Sequence, residues 1–183
     1  MGHDWGGLIS YSIALRENSR VERLMPLNII HPWPSQPALL RNLPKSIYAF
    51  GVGARQMRDA PERFSKTMDS DLGRTSAISD ADLRIYVGSL SLPGREHVTT
   101  MVYRDFMTRE VFALGFGRYS SRRLTMPTLV LFGEEDATMN RHLLEGYQAH
   151  ADDMRVEFVP TCGHFIVDEK PDLVAERALG FFE

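Results

Sequence analysis

The chain reads as an α/β protein: a parallel sheet flanked by helices, with a helical segment inserted into it. Three observations predict this. Residues 21–30 hold Leu24, Met25, Leu27, Ile29 and Ile30 with little polar alternation, the pattern of a strand buried on both faces. A second apolar run, Thr128-Leu-Val-Leu-Phe132, is bounded by Pro127 and Gly133 and opens a strand, helix, strand, helix rhythm. Between the two runs no strand signal of comparable quality occurs.

In chain order, Gly6 and Gly7 open a helix over residues 8–15, with Leu8, Ile9 and Ile13 on an apolar face before Glu17-Asn-Ser19 breaks it. The strand at 21–30 carries one anomaly, Pro26, since proline cannot donate to the ladder of a central strand. His31-Pro-Trp-Pro34 ends it. From there Pro44, Gly51, Gly53, Pro61, Gly73, Pro93 and Gly94 cut the chain into short amphipathic helices, one of them started by Ser79 as N-cap with Asp80 and Asp82 in its first turn. The strand at 127–133 is followed by a helix over 140–149 and a half-exposed edge strand at 155–159. A closing helix, 171–182, has Pro171 in its first turn and Val174, Ala178, Phe181 and Phe182 on one face. This divides the chain into a core, 1–32 and 119–183, and a helical cap, 33–118.

Composition bounds the function. The 183 residues suit one domain with an insertion, and 43% hydrophobic with 25% charged residues is ordinary globular usage. A net charge of -3 gives no electrostatic reason to expect nucleic acid or anionic lipid. Cys162 is the only cysteine, so neither an intrachain disulfide nor a cysteine-cluster metal site is available. No apolar run approaches the ~20 residues of a membrane span. A cytoplasmic protein is the default expectation, with no metal or cofactor.

Three polar positions follow the predicted elements. Gly2-His-Asp-Trp-Gly6 has the form Gly-x-nucleophile-x-Gly of a strained strand-to-helix turn, with Asp4 at the nucleophile position. Taken alone, it reads equally as a glycine-rich loop in which Asp4 caps a helix. Asp136, in Gly133-Glu-Glu-Asp136, follows a buried strand at the end where α/β sheets place their sites. An exposed acidic turn is the alternative there, and Glu134 and Glu135 compete for the role. His164, in Thr161-Cys-Gly-His-Phe165, sits on a loop after the next strand, where it is either a surface residue or a base in a partly dry pocket. Cys162 is a poor nucleophile candidate, because side chains two apart on one loop rarely face each other. His3 is read as packing beneath the turn.

Nucleophile, acid after a strand, then His after the next strand is the triad order of the α/β hydrolases. His3-Asp-Trp-Gly-Gly7, Gly133-Glu-Glu-Asp136 and Cys162-Gly-His-Phe165 resemble the motifs of the epoxide hydrolase and haloalkane dehalogenase branch of that superfamily. The resemblance runs through essentially the whole chain. It implies the C-terminal part of an α/β-hydrolase fold with an inserted cap, and a hydrolase in which Asp4 forms an alkyl ester that a water activated by His164, oriented by Asp136, hydrolyses. It further implies the Trp5 N–H as an oxyanion donor, and two cap tyrosines that protonate an epoxide oxygen. Tyr48, in Ser46-Ile-Tyr48, and Tyr103, in Val102-Tyr-Arg104, resemble those cap motifs, with Tyr86 and Tyr119 in reserve. A dehalogenase would need indole or amide N–H donors for halide, and the available indoles are those of Trp5 and Trp33. The implied partners are a small hydrophobic epoxide or organohalide and water.

Members of that branch have further strands before this turn and an early His-Gly-x-Pro loop. Relative to that pattern the chain reads as a fragment, or as one whose start is placed too late, with three contiguous strands near Val21, Thr128 and Val156. The expected consequences are a bare edge on the Val21 strand, self-association through it, low solubility and little turnover. A non-catalytic remnant is therefore a third reading.

Overall fold

The computed structural model describes residues 1–45 and 78–183. Four parallel strands, β1 (Gly2–His3), β2 (Pro26–Leu27), β3 (Thr128–Gly133) and β4 (Met154–Val159), lie side by side in sequence order. The register sets Gly2 opposite Pro26, Leu27 opposite Leu131, and Thr128 through Gly133 opposite Met154 through Val159. Crossover helices are the means by which such parallel neighbours are joined. Helix α1 (Trp5–Arg16) follows β1, and the segment between β2 and β3 holds helix α2 (36–45), α3 (Asp80–Leu90), α4 (Arg95–Asp105) and α5 (Val111–Gly115). A π-type turn, Phe106–Glu110, joins α4 to α5. After β4 come the single turn α6 (Ile166–Glu169) and α7 (Pro171–Phe182).

Strand β3 explains why its sequence shows no alternation. Val130 and Phe132 point into one core cluster with Tyr11, Ala14 and Leu15 of α1, while Leu129 and Leu131 point into a second with Ile166, Val174 and Phe181. Every residue of β3 is buried, because helices cover both faces of the sheet. Burying each such side chain contributes roughly 1.5–3 kcal/mol.

Several expectations are corrected. The sheet has four strands rather than three, because Gly2 and His3 pair with β2, and the Gly2 and Asp4 N–H groups donate to the carbonyls of Met25 and Leu27. The Val21 segment is thus paired on both sides, and the free edge passes to β1, beyond which no strand lies among the described residues. The long strand expected at 21–30 reduces to Pro26–Leu27 plus one bridge from Leu24 to Thr128. Pro26 is the reason: Leu24 donates to the Pro127 carbonyl at 3.0 Å and Asn28 to that of Leu131 at 2.9 Å, and Pro26 between them has no N–H to give. The helix expected at 140–149 is two 3₁₀ turns, Arg141–Leu144 and Tyr147–Ala149, separated by Gly146 at φ +87°. Helix α1 buries Gly7, Tyr11, Ala14 and Leu15, leaving Ile9 and Ile13 58% and 50% exposed instead of inward. In α7 Val174 and Phe181 are buried, but Phe182 faces solvent. The Ser79 N-cap is present as a full capping box with Asp82.

Candidate active site

Four consecutive strands deliver four polar side chains at their C-terminal ends: Asp4 after β1, Asn28 after β2, Asp136 beyond β3 and His164 beyond β4. Asp4 sits on the sharp turn into α1 with φ +49° and ψ -118°, a conformation costing a non-glycine residue on the order of 1–3 kcal/mol. The surrounding packing holds the turn in place. A Cβ on Gly2 would lie 2.5 Å from the Gly6 carbonyl oxygen, and one on Gly7 would lie 2.5 Å from Cγ2 of Ile29. Both glycines permit a close approach, to backbone at Gly2 and to the Ile29 side chain at Gly7, that a Cβ would block. Trp5 begins α1, so its amide is among those that point out of the helix N-terminus.

His164 lies between two carboxylates. Its Nδ1 is 2.9 Å from Oδ2 of Asp136, and its Nε2 is 3.7 Å from Oδ1 of Asp4. The side chain of Asp136 is fully buried and that of His164 nearly so, whereas Asp4 keeps 28% of its side chain open to solvent. The outer carboxylate can therefore be reached by a small molecule and the inner one cannot. Burial alone would lower the pKa of His164, but Asp136, Asp4 and Glu169 together lift it to about 9. Burial works the other way on Asp136. His164, Thr138 and Asn28 nevertheless outweigh it and hold the carboxyl at about 2.

Asp136 accepts five hydrogen bonds. Oδ1 takes the Thr138 N–H at 2.7 Å, the Thr138 hydroxyl at 2.6 Å and the Met139 N–H at 3.1 Å. Oδ2 takes the Asn28 amide at 2.8 Å and the His164 ring. Glu134 and Glu135 are exposed, with Glu134 3.7 Å from Arg141, so neither takes the buried position. The loop bearing His164 is fixed from below: Glu169 accepts from Gly163 N–H at 2.6 Å and Phe165 N–H at 3.1 Å. From the β1 side, His3 Nε2 reaches the His164 carbonyl oxygen at 2.8 Å. Burial, followed by the charge of His164, lowers the pKa of His3, which suits the packing role read from the sequence.

Tyr103 and Phe106, from α4 and the turn after it, place their rings edge-on to Trp5 with centroids 5.2 and 4.8 Å away. Burial and then the charge of Asp4 push the Tyr103 phenol up to about 12, with the Trp5 indole pulling the other way. Tyr48 lies outside the described residues. Tyr86 is occupied elsewhere, its hydroxyl donating to Asp168 at 2.9 Å, and Tyr119 is buried in the core. Trp33 donates its indole N–H to the Tyr119 carbonyl at 2.7 Å and stacks on His150. Cys162 is buried, and burial first of all pushes its thiol to about 12, so it is a core residue with no thiolate character.

Sequence reasoning passed over Asn28, Thr138 and Glu169. Asn28 had a signal, being the lone polar residue in Leu27-Asn-Ile-Ile30 at a strand's C-terminal end. Thr138, two residues after the acid, fits a side-chain turn. Glu169 had none.

Fold and site together define a parallel α/β protein with an elbow-borne carboxylate. The family model described as the alpha/beta hydrolase fold matches residues 1–171, and the chain belongs to that family. It is 26% identical over 194 residues to the soluble epoxide hydrolase of Corynebacterium sp. (strain C12), and 25% identical over 193 residues to the AB hydrolase superfamily protein YfhM of Bacillus subtilis (strain 168). In both cases 100% of this chain aligns with 65% of the relative. Human epoxide hydrolase 4 is 27% identical over 191 residues, covering 95% of this chain and 50% of its own. Among solved structures, an epoxide hydrolase from Bacillus megaterium complexed with its product superposes with a TM-score of 0.80 at 19% identity, over 98% of this chain and 67% of that one. Epoxide hydrolase CorEH without ligand gives 0.74 at 23%, over 99% and 66%. The chain thus spans just under two thirds of the first curated relatives it matches. No described helix is long and apolar enough to cross a membrane.

Proposed function

We propose that the chain carries the catalytic groups of an epoxide hydrolase, with Asp4 as nucleophile, His164 as base, Asp136 as its partner and Tyr103 as the proton donor to the leaving oxygen. The observation supporting this is the line Asp4, His164, Asp136 at 3.7 and 2.9 Å, with only its first member reachable from solvent. A carboxylate oxygen of Asp4 attacks a ring carbon of the epoxide, the carbon–oxygen bond opens, and the alkoxide takes the phenolic proton of Tyr103. A phenol pushed to about 12 stays protonated at neutral pH and so has that proton to give. Esterification then removes the negative charge of Asp4, one of the causes that hold His164 as imidazolium. The ring's pKa falls, its proton returns to the tyrosinate, and the neutral imidazole takes a proton from water. The hydroxide adds to the ester carbonyl, the Trp5 N–H facing the oxyanion; the bond to the alkyl oxygen then breaks, that oxygen takes the proton of the added hydroxyl, and the diol leaves Asp4 as a carboxylate again.

Tyr48 is the second phenol in this reading, and the 33–118 segment is the cap that brings both to the substrate. A halide leaving group would use the same triad, but Trp33 has its indole committed to Tyr119, which weighs against that alternative.

The test is one turnover on styrene oxide in heavy-oxygen water, followed by mass spectrometry of the peptide holding Asp4. One heavy oxygen is expected in the Asp4 carboxylate, with the first diol unlabelled. Label in the diol and none in Asp4 would mean direct attack by water and would overturn the reading. Halide release from haloalkanes, with no turnover of epoxides, would select the dehalogenase.

A further inference from the structure

We propose that Asn28 is a positioning residue for this site: its amide ties the Asp136 carboxylate to the loop carrying His164, so that acid and base keep their separation. This rests on the triad reading above and adds to it a member from the one remaining strand end.

Asn28 is fully buried at the end of β2, in the left-handed region at φ +41°, which Asn tolerates better than most residues. Its backbone N–H completes the ladder to Leu131 at 2.9 Å. Its side chain makes three further bonds. Nδ2 donates to Oδ2 of Asp136 at 2.8 Å and to the Gly163 carbonyl at 3.1 Å, while Oδ1 accepts from the Gly133 N–H at 3.3 Å. The environment fixes the amide's orientation, because a flipped amide would set its oxygen against two acceptors and its NH₂ against a donor.

The placement matters more than the count. Gly133 begins the turn that ends in Asp136, and Gly163 directly precedes His164. One side chain therefore spans the turn after β3 and the loop after β4, and it bonds the same carboxylate oxygen that faces the His164 ring. The three donors on Oδ1 come from the turn of Asp136 itself and cannot hold that turn against the neighbouring loop. Asn28 and His164 are the two described bonds on Oδ2, and of these Asn28 donates whatever the protonation state of the imidazole.

The test is the titration of His164 by imidazole proton–nitrogen NMR in the 183-residue chain, its signals assigned by their loss in His164→Gln. The charged or titratable groups facing this ring are His3 from β1, Asp4 from the elbow, Asp136 from the turn after β3 and Glu169 from α6. Asn28→Gly keeps the backbone conformation and deletes the amide. The loop is then free to leave the acid, and the titration of His164 falls by about one unit. Asn28→Asp keeps the shape. Protonated, its one O–H donates to Asp136 but leaves the Gly163 carbonyl without a donor; ionised, it adds negative charge beside the imidazolium, which outweighs that loss, so the titration stays at or above wild type. A residue that only fills space lowers both variants together. Equal shifts in the two variants, or no shift in either, would overturn the role of Asn28. Should Asn28→Gly fail to fold, a titration of Asn28→Asp below wild type does the same. Asp136→Asn is the separate control: if it leaves His164 titrating as in wild type, the triad reading fails, and not Asn28 alone.

Discussion

Replacing Asp136 by Asn removes the charge that does most to keep His164 protonated, and its effect on stability can be worked from the site. The imidazole ordinarily titrates near 6.5 and in the folded site at about 9. That gap corresponds to about 3 kcal/mol of preference for the imidazolium at 1.36 kcal/mol per unit. Because the folded value is the raised one, this stabilisation is complete below pH 6.5 and is lost as pH rises through about 9. Asp136, held at about 2 against an ordinary 3.8, makes its contribution above 3.8 and loses it only as pH falls through 2, so it adds no slope in the alkaline window. The two shifts describe one interaction and are not summed. In Asp136→Asn, burial dominates and His164 is neutral across the window. Urea melts of wild type and variant at pH 6 and pH 10 isolate the effect, since other groups titrate alike in both. The stability difference between the proteins is expected to shrink by up to about 3 kcal/mol on going to pH 10. A difference of the same size at both pH values would refute the assignment of the raised His164 pKa to its partner.

Two further outcomes follow from the geometry. Tyr103→Phe keeps the ring against Trp5 and deletes the proton donor, so turnover of epoxides is expected to fall by roughly 10²–10⁴ while stability drops by no more than the roughly 1–3 kcal/mol of the lost Trp5 indole bond; a wild-type rate would remove Tyr103 from the proposed mechanism. Gly7→Ala sets a methyl 2.5 Å from Cγ2 of Ile29 and 3.0 Å from the Gly2 carbonyl, and is expected to destabilise the chain by about 1–3 kcal/mol in a denaturant melt; a neutral change would mean that the elbow is not close-packed there.

The fold class was legible in the sequence, and so were three candidate side chains; the extent of individual elements was less so. Asp4, Asp136 and His164 each follow a strand, and the elbow needs glycines for close contact, so chemistry and spacing mark them locally. Elements stabilised by partners distant in sequence were harder. Gly2 and His3 are too few to read as a strand and become one only because Met25 and Leu27 accept and extend their ladder. The inward face of α1 was misassigned because Ile9 and Ile13 are as apolar as the buried residues, and Tyr11, which looks amphipathic, is the one that packs into the core. At 140–149 the apolar pair Leu143 and Leu144 is buried as a helix would bury it, but Glu145 becomes extended at ψ 149° and Gly146 takes a positive φ, so the turn stops at Leu144.

Strand β2 connects the elements whose extent was misjudged to the candidate site. Pro26 removes one rung from the centre of the sheet, and a buried carbonyl without its donor costs roughly 1–3 kcal/mol. Leu24, Met25, Leu27, Ile29 and Ile30 are all buried, divided between the two core clusters, and at roughly 1.5–3 kcal/mol each their burial exceeds that loss several-fold. The strand is held by its side chains more than by its ladder. A chain so held can leave the extended conformation one residue after Leu27 without losing its place, and Asn28 does so at φ +41°. That turn carries its amide between the acid turn and the histidine loop. The proline that looked like an argument against a central strand is thus compatible with one, and the missing rung lies two residues before the residue that joins the two halves of the site.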